Sequence, residues 1–121
     1  MMKNSLYQII QVYEPDGMIR IQLLRESRIY KAHFPEHPIT PGVCIIQIAT
    51  ELIEDLKGEN LALKEVVNAK FLAVIDPDIT KELNYNLQKI TPITATSFKV
   101  SVIVADSTTT FAKLSLVYEK K

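Results

Sequence analysis

The spacing of apolar residues changes period twice along the chain. Leu6 to Tyr13 is rich in branched and aromatic residues, and Met18 to Leu24 alternates apolar with polar. Both read as strands. Between them, Glu14-Pro15-Asp16-Gly17 is a turn signal, because proline presets one turn dihedral and glycine accepts a positive φ. A hairpin is expected.

The alternation then stops. Residues 33 to 42, His-Phe-Pro-Glu-His-Pro-Ile-Thr-Pro-Gly, hold three prolines. Such a segment cannot continue a helix and makes a poor central strand. It is expected to be a stiff loop. A helix is predicted from about Gly42 to Lys57, opened by Thr40 or Pro41 and stopped by Gly58. Val43, Ile45, Ile46, Ile48, Ala49, Leu52, Ile53 and Leu56 cover most of its circumference. A surface helix shows a narrower stripe, so this one is expected to be wrapped by a sheet. Gln47, Glu51, Glu54 and Asp55 recur three or four apart and share one side.

The remainder reads as strands: Leu61 to Val74 with a break at Asp76-Pro77-Asp78, then Glu82 to Ile90, Ser97 to Ala105 and Thr109 to Tyr118. The pattern is α+β, two strands, one buried helix and about four further strands. The 121 residues suit one ordinary domain, and residues 1–121 are expected to form a single one.

Composition narrows the function. With 14 basic and 14 acidic residues, the basic excess of a nucleic-acid binder is absent, so no nucleic-acid partner is expected. One cysteine, Cys44, excludes an intrachain disulfide, and two histidines with one cysteine offer no zinc-ligand spacing. No metal is therefore expected. No apolar run is long enough to span a bilayer, and residues 1 to 13 lack the apolar core of a secretory signal. A cytoplasmic protein without a membrane partner is expected.

The candidate chemistry lies between His33 and Gln47. A histidine opens a rigid loop that runs into a helix start at Gly42-Val43. Helix N-termini carry unpaired N–H groups and partial positive charge, and Gly42 lets a ligand approach the backbone closely. A histidine beside such donors is equipped to remove a proton next to a thioester carbonyl.

His-Phe-Pro-x-x-Pro-x-x-Pro-Gly-Val followed by an apolar helix resembles the signature of the 3-hydroxyacyl-[acyl-carrier-protein] dehydratases, most closely over residues 32 to 53. Ala69-Lys70-Phe71 with Pro77 adds a weaker likeness. The resemblance implies a hot-dog fold, in which one long central helix is wrapped by a curved antiparallel sheet of five or six strands. It implies dehydration, or the reverse hydration, of 3-hydroxyacyl thioesters on acyl carrier protein or coenzyme A, without a cofactor. It gives His33 the role of base and proton carrier, and the N–H groups around Gly42 and Val43 that of carbonyl holder. It also implies a dimer, because the family's acidic residue, five positions after the motif glycine, comes from the opposite subunit.

Here that position is Gln47, the main departure. Glutamine holds a hydroxyl or water but cannot exchange a proton. Glu51, one turn on, is the candidate substitute acid. Three readings follow: a homodimeric dehydratase weakened by Gln47, a non-catalytic acyl-binding subunit or half of a heterodimer, and a hot-dog thioesterase using Glu51. The plainer alternatives are a loop-shaping His37, a packed Cys44 rather than a nucleophile, and core positions for Phe34, Phe71 and Phe98. The basic run Arg25, Arg28 and Lys31 is either a docking surface for an acidic carrier or a solvated edge.

Overall fold

A computed structural model describes residues 2–13, 17–32 and 36–121. The strands are β1 (Tyr7–Tyr13), β2 (Met18–Leu23), β3 (Leu61–Phe71), β4 (Glu82–Pro92), β5 (Ser97–Ala105) and β6 (Thr110–Lys120), and the helices α1 (Arg28–Ala32) and α2 (Gly42–Lys57). The expected hairpin forms from β1 and β2. Of its turn, Glu14, Pro15 and Asp16 lie outside the described residues, while Gly17 has the positive φ of 71° that favours glycine.

The six strands form one sheet in the order β1-β2-β4-β5-β6-β3. Every neighbouring pair is antiparallel. Register shifts interrupt β1–β2, β3–β6, β4–β5 and β5–β6. Such bulges bend strands and add twist, which lets a sheet curl. Alternate residues of the central strands face inward: Leu83 and Tyr85 from β4, Phe98, Val100, Val102 and Val104 from β5, and Leu114, Leu116 and Tyr118 from β6. They close on Cys44, Ile45, Ile48, Ala49, Leu52 and Ile53 of α2. This is the hot-dog architecture, with α2 as the engulfed helix.

Apolar burial alone leaves a helix free to roll and slide in its groove, because it has no direction. Tyrosines supply the direction. Four of the chain's five tyrosines are fully buried. Tyr85 donates to the Ile45 carbonyl at 2.9 Å, Tyr118 shares a bond with the Thr50 hydroxyl at 2.9 Å, and Tyr7 donates to the Glu51 carboxylate at 2.9 Å. Tyr30, on α1, meets the Thr40 hydroxyl at 2.8 Å, just before α2. Burial pushes the Tyr30 and Tyr118 hydroxyls up to about 12 and Tyr85 well above its usual range, so all three remain neutral.

Two features depart from expectation. The short α1 was not predicted, since five residues are too few for a periodic signal. The long third strand ends at Phe71 rather than Val74. Beyond it, Leu72 donates to the Phe111 carbonyl at 2.8 Å and the Ile75 carbonyl accepts from Thr40 N–H at 2.9 Å, so this segment leaves the ladder to close over the start of α2.

Tyr85→Phe removes one directional bond and leaves the helix carbonyl its own partner. It is expected to cost about 1 kcal/mol with an unchanged dependence on denaturant, measured by urea unfolding.

Candidate active site

Local sequence builds the start of α2 in three steps. Pro41 stands at the N-cap with extended backbone, φ −62° and ψ 148°, and its side chain offers no cap. Its carbonyl accepts from Cys44 and Ile45 N–H at 2.9 and 3.1 Å. Thr40, the other candidate cap, turns its hydroxyl to Tyr30 instead. Among the described residues, nothing accepts from the N–H groups of Gly42 and Val43. They are open donors at the positive end of a 16-residue helix.

These donors adjoin a cavity of about 360 Å³ lined by residues 39–42, Ile45 and the segment 71–75. Val43 is 75% exposed beside it. Gly42 is closely approached by the Phe71 ring rather than by a ligand: a Cβ there would lie 2.9 Å from that ring. Phe71 is half exposed and covers the glycine, so it belongs to the wall rather than the core, whereas Phe98 is buried against Tyr118. A second cavity, about 460 Å³, lies between β1, β2 and the far half of α2. It is larger, but its one charged group, Asp55, already pairs with Lys3 at 3.1 Å, and no motif residue lines it.

His33, Phe34 and Pro35 lie outside the described residues. The flanks are described: Tyr30 of α1 and Thr40 tie the two ends of the motif loop together. His37 is exposed in a turn. Cys44 is buried, and burial raises its thiol pKa, which favours the packed form over a nucleophile. Arg25 bonds Asp78, and Lys31 lies 3.8 Å from Glu26, so two members of the basic run are already engaged by carboxylates.

Glu51 was expected on a polar side, yet it is only 2% exposed. Oε1 accepts from Lys3 N–H at 3.0 Å and the Tyr7 hydroxyl at 2.9 Å. Oε2 accepts from Met2 N–H at 3.0 Å and Gln47 Nε2 at 3.1 Å. Burial would raise its pKa, but the bonds from Met2, Gln47, Tyr7 and Lys3 outweigh burial and hold the carboxyl below its ordinary value. A carboxylate occupied on all four sides is poorly placed to hand a proton to a substrate. The sequence signal for this was weak: Glu51 sits between Thr50 and Leu52 on a helix apolar almost all round, where a lone charge is costly unless bonded.

Comparison with known proteins extends the picture. The ApeI-like family, described as ApeI dehydratase, matches residues 11–113. The 3-hydroxyacyl-[acyl-carrier-protein] dehydratase FabZ of Wolbachia pipientis wMel is 29% identical over 96 residues, covering 74% of this chain and 66% of that protein. FabZ of Latilactobacillus sakei subsp. sakei (strain 23K) is 30% identical over 69 residues, covering 51% and 49%. The chain thus spans about half to just under two-thirds of the length of these relatives. Among solved structures, the dehydratase heterocomplex ApeI:P from Xenorhabdus doucetiae matches with a TM-score of 0.63 at 17% identity, over 92% of this chain and 96% of that one. A thioesterase from Haemophilus influenzae matches with a TM-score of 0.65 at 12% identity, over 98% and 80%. At these identities the structural likeness shows the fold alone.

Glu51→Ala orphans the buried Tyr7 hydroxyl and two backbone donors, with an expected cost of about 3 kcal/mol in denaturant unfolding. Because folding lowers the Glu51 pKa, its contribution is complete above the unfolded value near 4.5 and is lost as pH falls through the lower folded value. Glu51→Gln is expected to remove that share of the acid-induced loss of stability, read from unfolding curves between pH 6 and pH 3.

Proposed function

The chain belongs to the ApeI-like dehydratase family, and we propose that it removes water from 3-hydroxyacyl thioesters or adds it back to the enoyl product. The acyl group is carried on acyl carrier protein or coenzyme A, and no cofactor takes part. The observation that carries this reading is the pair of unclaimed donors at Gly42 and Val43, beside an apolar-walled cavity and at the end of the motif that His33 opens. A thioester oxygen bound there gains negative charge as the adjacent C–H bond breaks, and preorganised N–H groups stabilise that charge. His33 is the base. Gln47 holds the departing hydroxyl.

The thioesterase reading needs a free carboxylate on α2. Glu51 has four donors, Glu54 accepts from Leu61 N–H at 2.9 Å, and Asp55 pairs with Lys3. All three acidic residues of the helix are thus engaged, which favours dehydration.

We assign the chain to a dimer through β3. This strand is at the sheet edge, and Leu63, Val66, Val67 and Phe71 on it are exposed. A long apolar edge with unpaired backbone groups is a template for another strand. A second copy completes the homodimer. A heterodimer is the second reading, favoured by Gln47: a partner of different sequence would supply the missing acid. The Xenorhabdus dehydratase of similar fold is itself a heterocomplex.

Purified protein is expected to convert 3-hydroxyacyl thioesters with a rise in enoyl absorbance and without release of free thiol. His33→Ala abolishes the signal, and Gln47→Glu raises it, by up to about 10²-fold. Thiol release without enoyl formation would instead support the thioesterase. Light scattering is expected to give twice the chain mass for the wild type and the single mass for Val66→Lys/Val67→Lys; a wild type that gains an enoyl signal only with a second protein is the heterodimer result.

A further inference from the structure

Gln47 and Glu51 stand one helical turn apart, so their side chains meet on one face of α2. On a free helix both would swing in solvent. Here one partner is fixed, because Met2, Lys3 and Tyr7 hold the Glu51 carboxylate from outside the helix. The remaining acceptor place takes Gln47 Nε2 at 3.1 Å. A carboxylate can only accept, so the amide must present its nitrogen to Glu51. Its Oε1 is the atom left over, and no described residue donates to it. The N-terminal segment, β1 and Glu51 thus settle which end of the Gln47 amide is free.

From this geometry we infer that Glu51 is a positioning residue, which holds Gln47 so that its amide oxygen accepts a hydrogen bond from the substrate's 3-hydroxyl. The inference rests on the dehydratase reading for the identity of that hydroxyl, and on the hydrogen bonds alone for the orientation of the amide. An N–H bonded to an anion strengthens the carbonyl of the same amide as an acceptor. Gln47 therefore aims the hydroxyl without supplying a proton. The elimination still balances: the His33 imidazole takes the proton as the C2–H bond breaks, its electrons form the C2–C3 double bond, the C3–O bond breaks, and the imidazole returns the same proton to the departing hydroxyl, which leaves as water.

A double-mutant cycle tests the role. Glu51→Gln is expected to lower kcat about five- to tenfold, the scale of one hydrogen bond, with little change in KM. Gln47→Ala lowers it at least as far, and the double variant is no slower than Gln47→Ala alone, because Glu51 acts through Gln47. Effects that multiply overturn the inference. The side-chain ¹⁵N–¹H pair of Gln47, identified by its loss in Gln47→Ala, gives a readout independent of turnover. In Glu51→Gln it is expected to move toward the position of a solvent-exposed glutamine, and an unmoved pair overturns the orientation. Should Glu51→Gln fail to fold, Glu51→Asp serves both measurements, since it keeps the charge near Met2 and Lys3 but draws it back from Gln47. A wild type with no turnover on any 3-hydroxyacyl thioester removes the dehydratase reading, and the amide signal then decides the orientation by itself.

Discussion

The structure depends on sinking one helix into a sheet at a fixed height and roll. Fully burying a large aliphatic side chain is worth about 1.5–3 kcal/mol, and α2 contributes Ile45, Ile48, Leu52 and Ile53. That burial drives the helix inward but does not index it. The Tyr85, Tyr118 and Tyr7 hydroxyls do, at Ile45, Thr50 and Glu51, from strands on different parts of the sheet. A helix so indexed sets down its first turn at one place against the segment 71–75. The cavity and the open donors at Gly42 and Val43 exist because of that placement.

The same indexing gives successive stretches of α2 different chemistry. At the start of α2, proline at the cap and a committed Thr40 leave donors without acceptors. Roughly two and a half to three and a half turns further on, each carboxylate of the helix has found a donor. In the proposed dehydratase reading, the open N–H groups serve the oxygen that gains charge and the neutral Gln47 amide serves the departing hydroxyl. The Glu51 charge is held by Met2, Lys3, Tyr7 and Gln47, and in the proposed reading it orients the amide rather than reacting.

Much of this was legible in the sequence. Alternation in residues 97–105 and the nearly all-round apolar face of residues 42–57 are direct consequences of a sheet enclosing a helix. The bounds of α2 follow from Pro41 and from Gly58, which adopts φ 64°. The proline-rich motif located the donors. Three things were not legible. The tyrosines occupy inward strand positions, where an aromatic residue reads simply as core, and only the fold shows which hydroxyl meets which helical group. Glu51 was read with its polar neighbours, because helical spacing says which residues share a side and not what covers that side. The covering comes from Met2 and Lys3, nearly fifty residues away. The position of the His33 side chain lies outside the described residues.

The most direct measurement is a crystal structure with a stable 3-hydroxyacyl thioester analogue in which the sulfur is replaced by an amide nitrogen. The acyl carbonyl oxygen is expected at roughly 3 Å from the backbone nitrogen of Gly42 or Val43, with the acyl chain entering the cavity walled by Ile45 and Phe71. An analogue seated instead in the cavity between β1, β2 and the far half of α2, leaving both N–H groups without an acceptor, would contradict the account.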